Sequence, residues 1–382
     1  MLIPAVCAFA LCVLFLSRPI GLRGAVAASI IKVGICACYL LWVGNSGFRL
    51  FDDRTYFENA ASILQQGYNP VSVLTTPDGL STLFSTVGGE HVGYTWWNVL
   101  LFWVFGAAYF VPLFFNVAIS CIAAWAAASI ALSAGFSRKY AGALALFFAL
   151  HWDVLVWSSI LNLKDTITFT LALVAINGFV QIRNARFGAL KFWINAASVA
   201  LALGALQYFR FYLPPILLAS ACVWLFLGGM PTWAGPPMRL ALLCVFALGF
   251  AAMAFRAPLS SASGTISGTN AAEGFVRILL TPQPWSIEPN YGFLLLPSLL
   301  HWLMLVPAVF GILRLNQISV EARLLTVYSL LCLSAFAVSD ALIGPRQRLV
   351  VCPLLIWGQF HALVMFVERI ELRYQSREAA AS

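Results

Sequence analysis

Apolar runs of near membrane-spanning length follow one another along the whole chain, separated by short polar turns. They lie at about residues 2–16, 25–44, 112–132, 141–161, 166–182, 193–209, 213–229, 240–255, 294–313, 324–341 and 349–367. A helix needs about 20 predominantly apolar residues to cross a hydrocarbon core. The runs therefore predict an all-α polytopic membrane protein with about eleven transmembrane helices, forming a single integral membrane domain, 1–382. Their continuity, without alternation, argues against a β-barrel.

Two stretches interrupt the pattern as large loops, 45–94 and 256–293. In the first, Phe57, Ala60, Ala61 and Leu64 recur at helical spacing behind Asp52 and Asp53, and Gly67 and Asn69-Pro70 end the segment. This predicts a short helix lying on the membrane surface. Stretch 95–110, TWWNVLLFWVFGAAYF, is also apolar, and charge decides its treatment. If it does not cross, the loops 17–24, 133–140, 183–192, 230–239 and 314–323 share one side with the tail 368–382. That side carries 13 Lys/Arg against four acids, and the other carries eight against nine over a longer length. This is a positive-inside distribution, which a full crossing by 95–110 would divide between the two faces. The stretch is therefore expected in the interface or as a re-entrant segment, with Trp96, Trp97 and Trp103 at headgroup level. Both large loops fall outside and the tail is cytosolic, as expected for a multi-pass plasma (inner) membrane protein.

Composition strengthens this picture. The 382 residues are 62% hydrophobic and 9% charged, whereas soluble domains are about half apolar and a quarter charged. The net charge of +8 is scattered over short loops without a basic stripe, which excludes a nucleic-acid partner. All nine cysteines fall inside apolar runs and read as small buried residues; Cys36 and Cys38 lack the spacing of a redox pair. The first run has no basic segment before it and is followed by Arg18 and Arg23, so it is expected to be a retained helix with an outside N-terminus.

Acids are scarce, so the adjacent pair in FDDRTYFENA (51–60) draws notice. Aspartate is a preferred helix N-cap, and one aspartate satisfies that role. Other polar turns share the outside face: Asn162 to Asp165, Arg210 to Tyr212, and Asp340 to Arg348. The run D-D-R-T-Y-F-E-N-A-A, followed by L-x-x-G-x-N-P, resembles the first outside loop of the C-fold glycosyltransferase superfamily (GT-C), membrane enzymes that use polyprenyl-phosphate sugars. That loop reads D-[DE]-x-x-Y-x-x-x-A. The order continues with FG-x-x-Y-x-x-P-L-x-x-N at 105–116, the acidic turn WSSILNLKD at 157–165, R-F-Y at 210–212 and P-R-Q-R at 345–348. The resemblance covers about residues 25–367, with an additional preceding helix and no soluble C-terminal domain.

The resemblance implies an inverting glycosyltransferase that moves a sugar from a polyprenyl-phosphate donor to a glycan or lipid acceptor on the outer face, in cell-surface glycan assembly. It implies Asp52 as the base, Asp53 beside it as orienting group or helix cap, and Asp165 as a second acidic residue. It further implies substrate contacts from Tyr56, Lys164, Arg210, Tyr212, Arg346 and Arg348. The chemistry is coherent: a carboxylate within hydrogen-bond reach takes the acceptor proton, and cations stabilise the leaving phosphate. Plainer roles stand beside these. Asp165 with Thr166 caps a helix, Arg210 snorkels to headgroups, and Arg346 and Arg348 touch lipid headgroups.

A divalent ion held by Asp52 with Glu90 and His91 is a weak pattern, with one histidine and no ligand spacing. His301 and His361 read as buried, hydrogen-bonded side chains. An acid in mid-membrane is costly and functional by default, so Asp153 near His151 is a separate candidate, with Lys32 or another helix as its partner. Their spacing of two does not put them on one helical face. The alternatives are a flippase or transporter for lipid-linked glycans, a surface polysaccharide polymerase, and an accessory subunit without chemistry.

Overall fold

The computed structural model of the chain describes residues 1–43, 51–87, 91–231, 235, 243–244, 248–249, 271–337 and 345–381. Among these residues the fold is all-helical, with no strand. The first helix, α1 (Leu2–Val43), runs for 42 residues and breaks at Gly21, whose φ of 74° is open to glycine at little cost. Unbroken, it would measure about 63 Å, twice a hydrocarbon core. The break divides it into two arms, each close to spanning length. Four shorter helices follow: α2 (Phe51–Gln65), α3 (Ser72–Thr75), α4 (Pro77–Val87) and α5 (Val92–Phe105).

The centre of the bundle is α6 (Phe110–Ser133) and α9 (Asp165–Asn184), both largely buried and flanked by α10 (Leu190–Phe209). Between α6 and α9 lie α7 (Arg138–Ala149) and α8 (Trp152–Ser159), bent by 46° at their junction. Beyond α10 come α11 (Leu213–Trp224), ending in a π turn at Leu225–Gly229, then α12 (Ala271–Leu280), α13 (Leu295–Ile318), α14 (Val320–Ala337), a 3₁₀ turn (Pro345–Val350) and α15 (Cys352–Ala381). Helices α13 and α15 cross so closely that a Cβ at Gly311 would strike the Gly358 carbonyl oxygen. Such small-residue crossings are how helices approach one another in lipid.

Among the described residues six helices are long and apolar enough to cross a membrane, or seven if α7 and α8 form one broken span, against the eleven expected for the whole chain. The difference has physical sources. The first two expected spans are the two arms of α1, which the count of six takes as one helix, and most of 240–255 falls outside the described residues. Helix α11 gives way to a π turn after 12 residues. In α15, Gln359 and His361 interrupt the apolar run and bond to His151 Nε2 (2.8 Å) and the Tyr140 hydroxyl (3.1 Å). Helix α5 has 14 residues, about 21 Å, too short to cross alone. All nine cysteines are free thiols.

The α7–α8 bend strips intrahelical partners from the last α7 carbonyls. Lys32, buried in the second arm of α1, donates to one of them, Ala149 O, at 2.8 Å. His151 sits at the head of α8, where Nδ1 accepts the Asp153 N–H at 3.3 Å. The two are therefore neighbours despite their spacing, because His151 caps the helix instead of belonging to it.

Candidate functional site

Four segments remote in sequence meet at one end of the bundle: the start of α2, the start of α5, the turn 160–165 and the turn 210–212. Asp53, the second acid of the pair, is fully buried. Its Oδ1 accepts the Asn162 backbone N–H at 2.9 Å and its Oδ2 accepts the Tyr109 hydroxyl at 2.8 Å. Burial, with the Asp53 carboxylate beside it, pushes the Tyr109 hydroxyl well above its ordinary range, so it remains a donor. Asp53 thereby ties the first loop to the 160–165 turn, beyond the helix-starting role that its position alone suggests. Asp52, one residue earlier on α2, is half-buried.

Asn162 continues the network. The Tyr94 hydroxyl donates to Asn162 Oδ1 at 2.7 Å and accepts from Asn116 Nδ2 at 3.0 Å. Tyr56 packs edge-on against Tyr94, with centroids 4.8 Å apart. The Tyr56 hydroxyl lies 2.8 Å from His91 Nδ1, and Lys164 Nζ lies 2.8 Å from the same nitrogen. A neutral imidazole with Nδ1 unprotonated accepts from one or both of these groups.

Asp165 and Arg210 form a buried ion pair, and Arg210 Nη1 also donates to the Tyr212 hydroxyl. Burial acts against the guanidinium charge, but Asp165 and Tyr212 outweigh it and hold the Arg210 pKa above its usual value. Several polar atoms at this end are buried without a protein partner among the described residues: Asp165 Oδ2, Arg210 Nε, Asn162 Nδ2, Asn98 Oδ1 and Asn116 Oδ1. Buried polar groups in native proteins are nearly always paired, so a cluster of unpaired ones marks a place that a polar ligand can complete.

An apolar cavity of about 420 Å³ adjoins the cluster, between α3, α4, α5 and the end of α10. Leu74, Leu83, Phe84, Trp96 and Phe209 are among its walls. Gly93, next to Tyr94, lets α5 lie against α10: a Cβ there would stand 2.9 Å from Tyr208 O and 3.0 Å from the Phe209 ring. Gly93→Val is expected to wedge the two helices apart, costing about 1–3 kcal/mol. A lowered thermal midpoint of the purified protein would report it.

Asp53, Tyr56, Lys164, Asp165, Arg210 and Tyr212 come together here. Arg348 does not. It is buried and engaged elsewhere, with Nη2 3.0 Å from Asp153 Oδ1 and Nη1 2.6 Å from Thr281 O. Arg348, not Lys32, is thus the partner of Asp153, and the expected phosphate contact of Arg348 gives way to a buried ion pair. The side chain of Arg346 lies outside the described residues, as does Glu90. Among the described residues no group of three or more His, Cys, Asp and Glu is placed to hold a metal ion. His301 Nε2 is 2.7 Å from Leu279 O.

Tyr94, Tyr109, Asn116 and Asn162 are site residues that sequence reasoning did not nominate. Tyr109 and Asn116 are the fixed Y and N of the 105–116 segment, and Asn162 opens the turn that carries Asp165, so order along the chain held a signal for three of them. Tyr94 carried none. No protein-family model matches this chain, and no curated protein or solved structure does so either.

Proposed function

We propose that the chain is a membrane glycosyltransferase of the C-fold kind, crossing the plasma membrane about eleven times. It transfers a sugar from a polyprenyl phosphate to a hydroxyl of a glycan or lipid acceptor at the outer face. One observation carries the reading: three of the segments that resemble that superfamily, 51–60, 157–165 and 210–212, meet in a single acid, tyrosine and arginine cluster beside an apolar cavity. A lipid-linked sugar phosphate needs both environments, apolar walls for the prenyl chain and cations for the phosphate.

In this reading helix α2 lies on the membrane surface and presents Asp52 to the acceptor. Asp52 removes the acceptor proton, the acceptor oxygen attacks the anomeric carbon, and the bond from that carbon to the phosphate oxygen breaks with inversion. The electron pair leaves with the polyprenyl phosphate, which Lys164 and Arg210 stabilise. Asp53 and Asp165 hold Tyr109, Asn162 and Arg210 in place.

The test is transfer from radiolabelled polyprenyl-phosphate sugars in membranes holding equal amounts of wild type and Asp52→Asn. Label in a new glycan only with wild type is the expected result, with a loss of at least 100-fold, typical of a removed general base. Equal label in both would return Asp52 to a capping role. The buried Asp153–Arg348 pair favours a second reading, a lipid-linked glycan transporter, for which a glycan-flipping assay with the wild-type protein is the discriminating measurement.

A further inference from the structure

A second polar cavity lies at the opposite end of the same helices, and the proposed activity makes no use of it. Its volume is about 300 Å³, at the small end of the range typical of ligand sites, roughly 300–1,000 Å³. It is bounded by the break in α1 and by α6, α9 and α10. Chain direction fixes its position. Helix α10 begins beside the cavity at Lys191 and ends at Arg210 in the first site, and its 20 residues rise about 30 Å. Helix α9 begins at Asp165 and brings Asn177 and Gln181 to the cavity three to four turns later; α6 begins next to Tyr109 and brings Trp125. The two polar sites are therefore separated by about one hydrocarbon thickness.

The cavity wall has the chemistry of an anion receptor. Arg18 and Lys191 supply two cations, neither with a carboxylate partner among the described residues, and no acid lines the cavity. Gln181 Nε2 donates to Ser133 Oγ at 2.7 Å and to Ser129 Oγ at 3.1 Å, and Asn195 Nδ2 donates to Lys191 O at 2.7 Å. Both Gln181 amide protons are taken up within the protein, so the anion is left to Arg18 and Lys191. The neighbouring surface is apolar: Leu190, Trp193 and Ile194, around Lys191 at the head of α10, are all more than half exposed. A cationic pocket opening onto an apolar outer surface suits a ligand that is anionic at one end and acyl at the other.

We propose that this cavity binds the phosphate-bearing headgroup of an anionic membrane lipid in the leaflet opposite the first site. The guanidinium of Arg18 forks onto phosphate oxygens, the Lys191 ammonium adds a point charge, and the acyl chains lie along α10.

The purified full-length protein in detergent is titrated with dioctanoyl phosphatidylglycerol, dioctanoyl phosphatidylcholine and inorganic phosphate, and the thermal midpoint is read. A ligand bound only by the folded state raises the midpoint saturably. Phosphatidylglycerol is expected to do so at concentrations where phosphatidylcholine and phosphate do not. Arg18→Gln/Lys191→Gln should require at least tenfold more of it, whereas Arg18→Lys/Lys191→Arg should respond. Arg138→Gln/Lys139→Gln removes two charges at the same end but outside the cavity, and should respond as wild type does. The proposal fails if inorganic phosphate matches the lipid, if neutralising Arg18 and Lys191 changes nothing, or if neutralising Arg138 and Lys139 weakens the response equally. If the double neutralisation does not fold, Asn195→Leu fills the cavity with both charges kept and must also weaken the response.

Discussion

Asp53→Ala is expected to lower the thermal midpoint and abolish transfer together, whereas Asp53→Asn should retain most of the stability. The alanine leaves the buried Asn162 N–H without an acceptor and takes from the Tyr109 hydroxyl the shorter of its two. An unsatisfied group costs about 1–3 kcal/mol, a large fraction of the roughly 5–15 kcal/mol that holds a typical domain folded. Asparagine keeps an oxygen for Asn162 N–H. Its amide then donates to Tyr109, whose hydroxyl turns toward Ile160 O, already 3.3 Å away. Melting curves of the purified variants, run beside the transfer assay, separate positioning from charge. Transfer that survives in Asp53→Asn assigns Asp53 to holding the site. Transfer lost with stability intact means that its charge acts in the chemistry.

The second large effect is expected at Asp153 and Arg348. Both side chains are almost fully buried, so either single neutralisation strands a charge, at a cost of about 3–5 kcal/mol. Asp153→Asn and Arg348→Met should each destabilise strongly, and the double variant should be less harmful than the sum of the two. Additive losses in unfolding measurements would show that the pair does not act as a unit. Because Arg348 also binds the Thr281 carbonyl, its replacement should in addition loosen the segment after α12, visible as faster hydrogen exchange around residue 281.

The apolar runs made the class of the fold readable, since lipid permits few alternatives to helices. They did not by themselves fix the number of crossings. Gly21 breaks α1 where the two expected runs already part, whereas Gln359 and His361 interrupt α15 because each has a partner elsewhere in the bundle. The convergence of the 51–60, 162–165 and 210–212 segments was legible, because polar residues at the ends of apolar runs gather at one face. Which of Asp52 and Asp53 is buried was not. One residue along a helix is a rotation of about 100°, and only the position of the 160–165 turn decides which acid is buried. Arg348 was drawn toward the phosphate site by its place in a polar turn. The competing attraction, a buried acid 195 residues earlier, has no signature in local sequence.

The link between Asp53 and Asn162 spans 109 positions along the chain. At roughly 5–20 residues per second, translation from one to the other takes on the order of 5–20 s. During that time Asp53 has left the ribosome and its partner does not yet exist. The carboxylate stays without that partner until α6, α7 and α8 have been made and the turn behind them arrives. The first site therefore cannot close until its last segment, 210–212, has been made, and its acids remain hydrated until the helices that enclose them are in place.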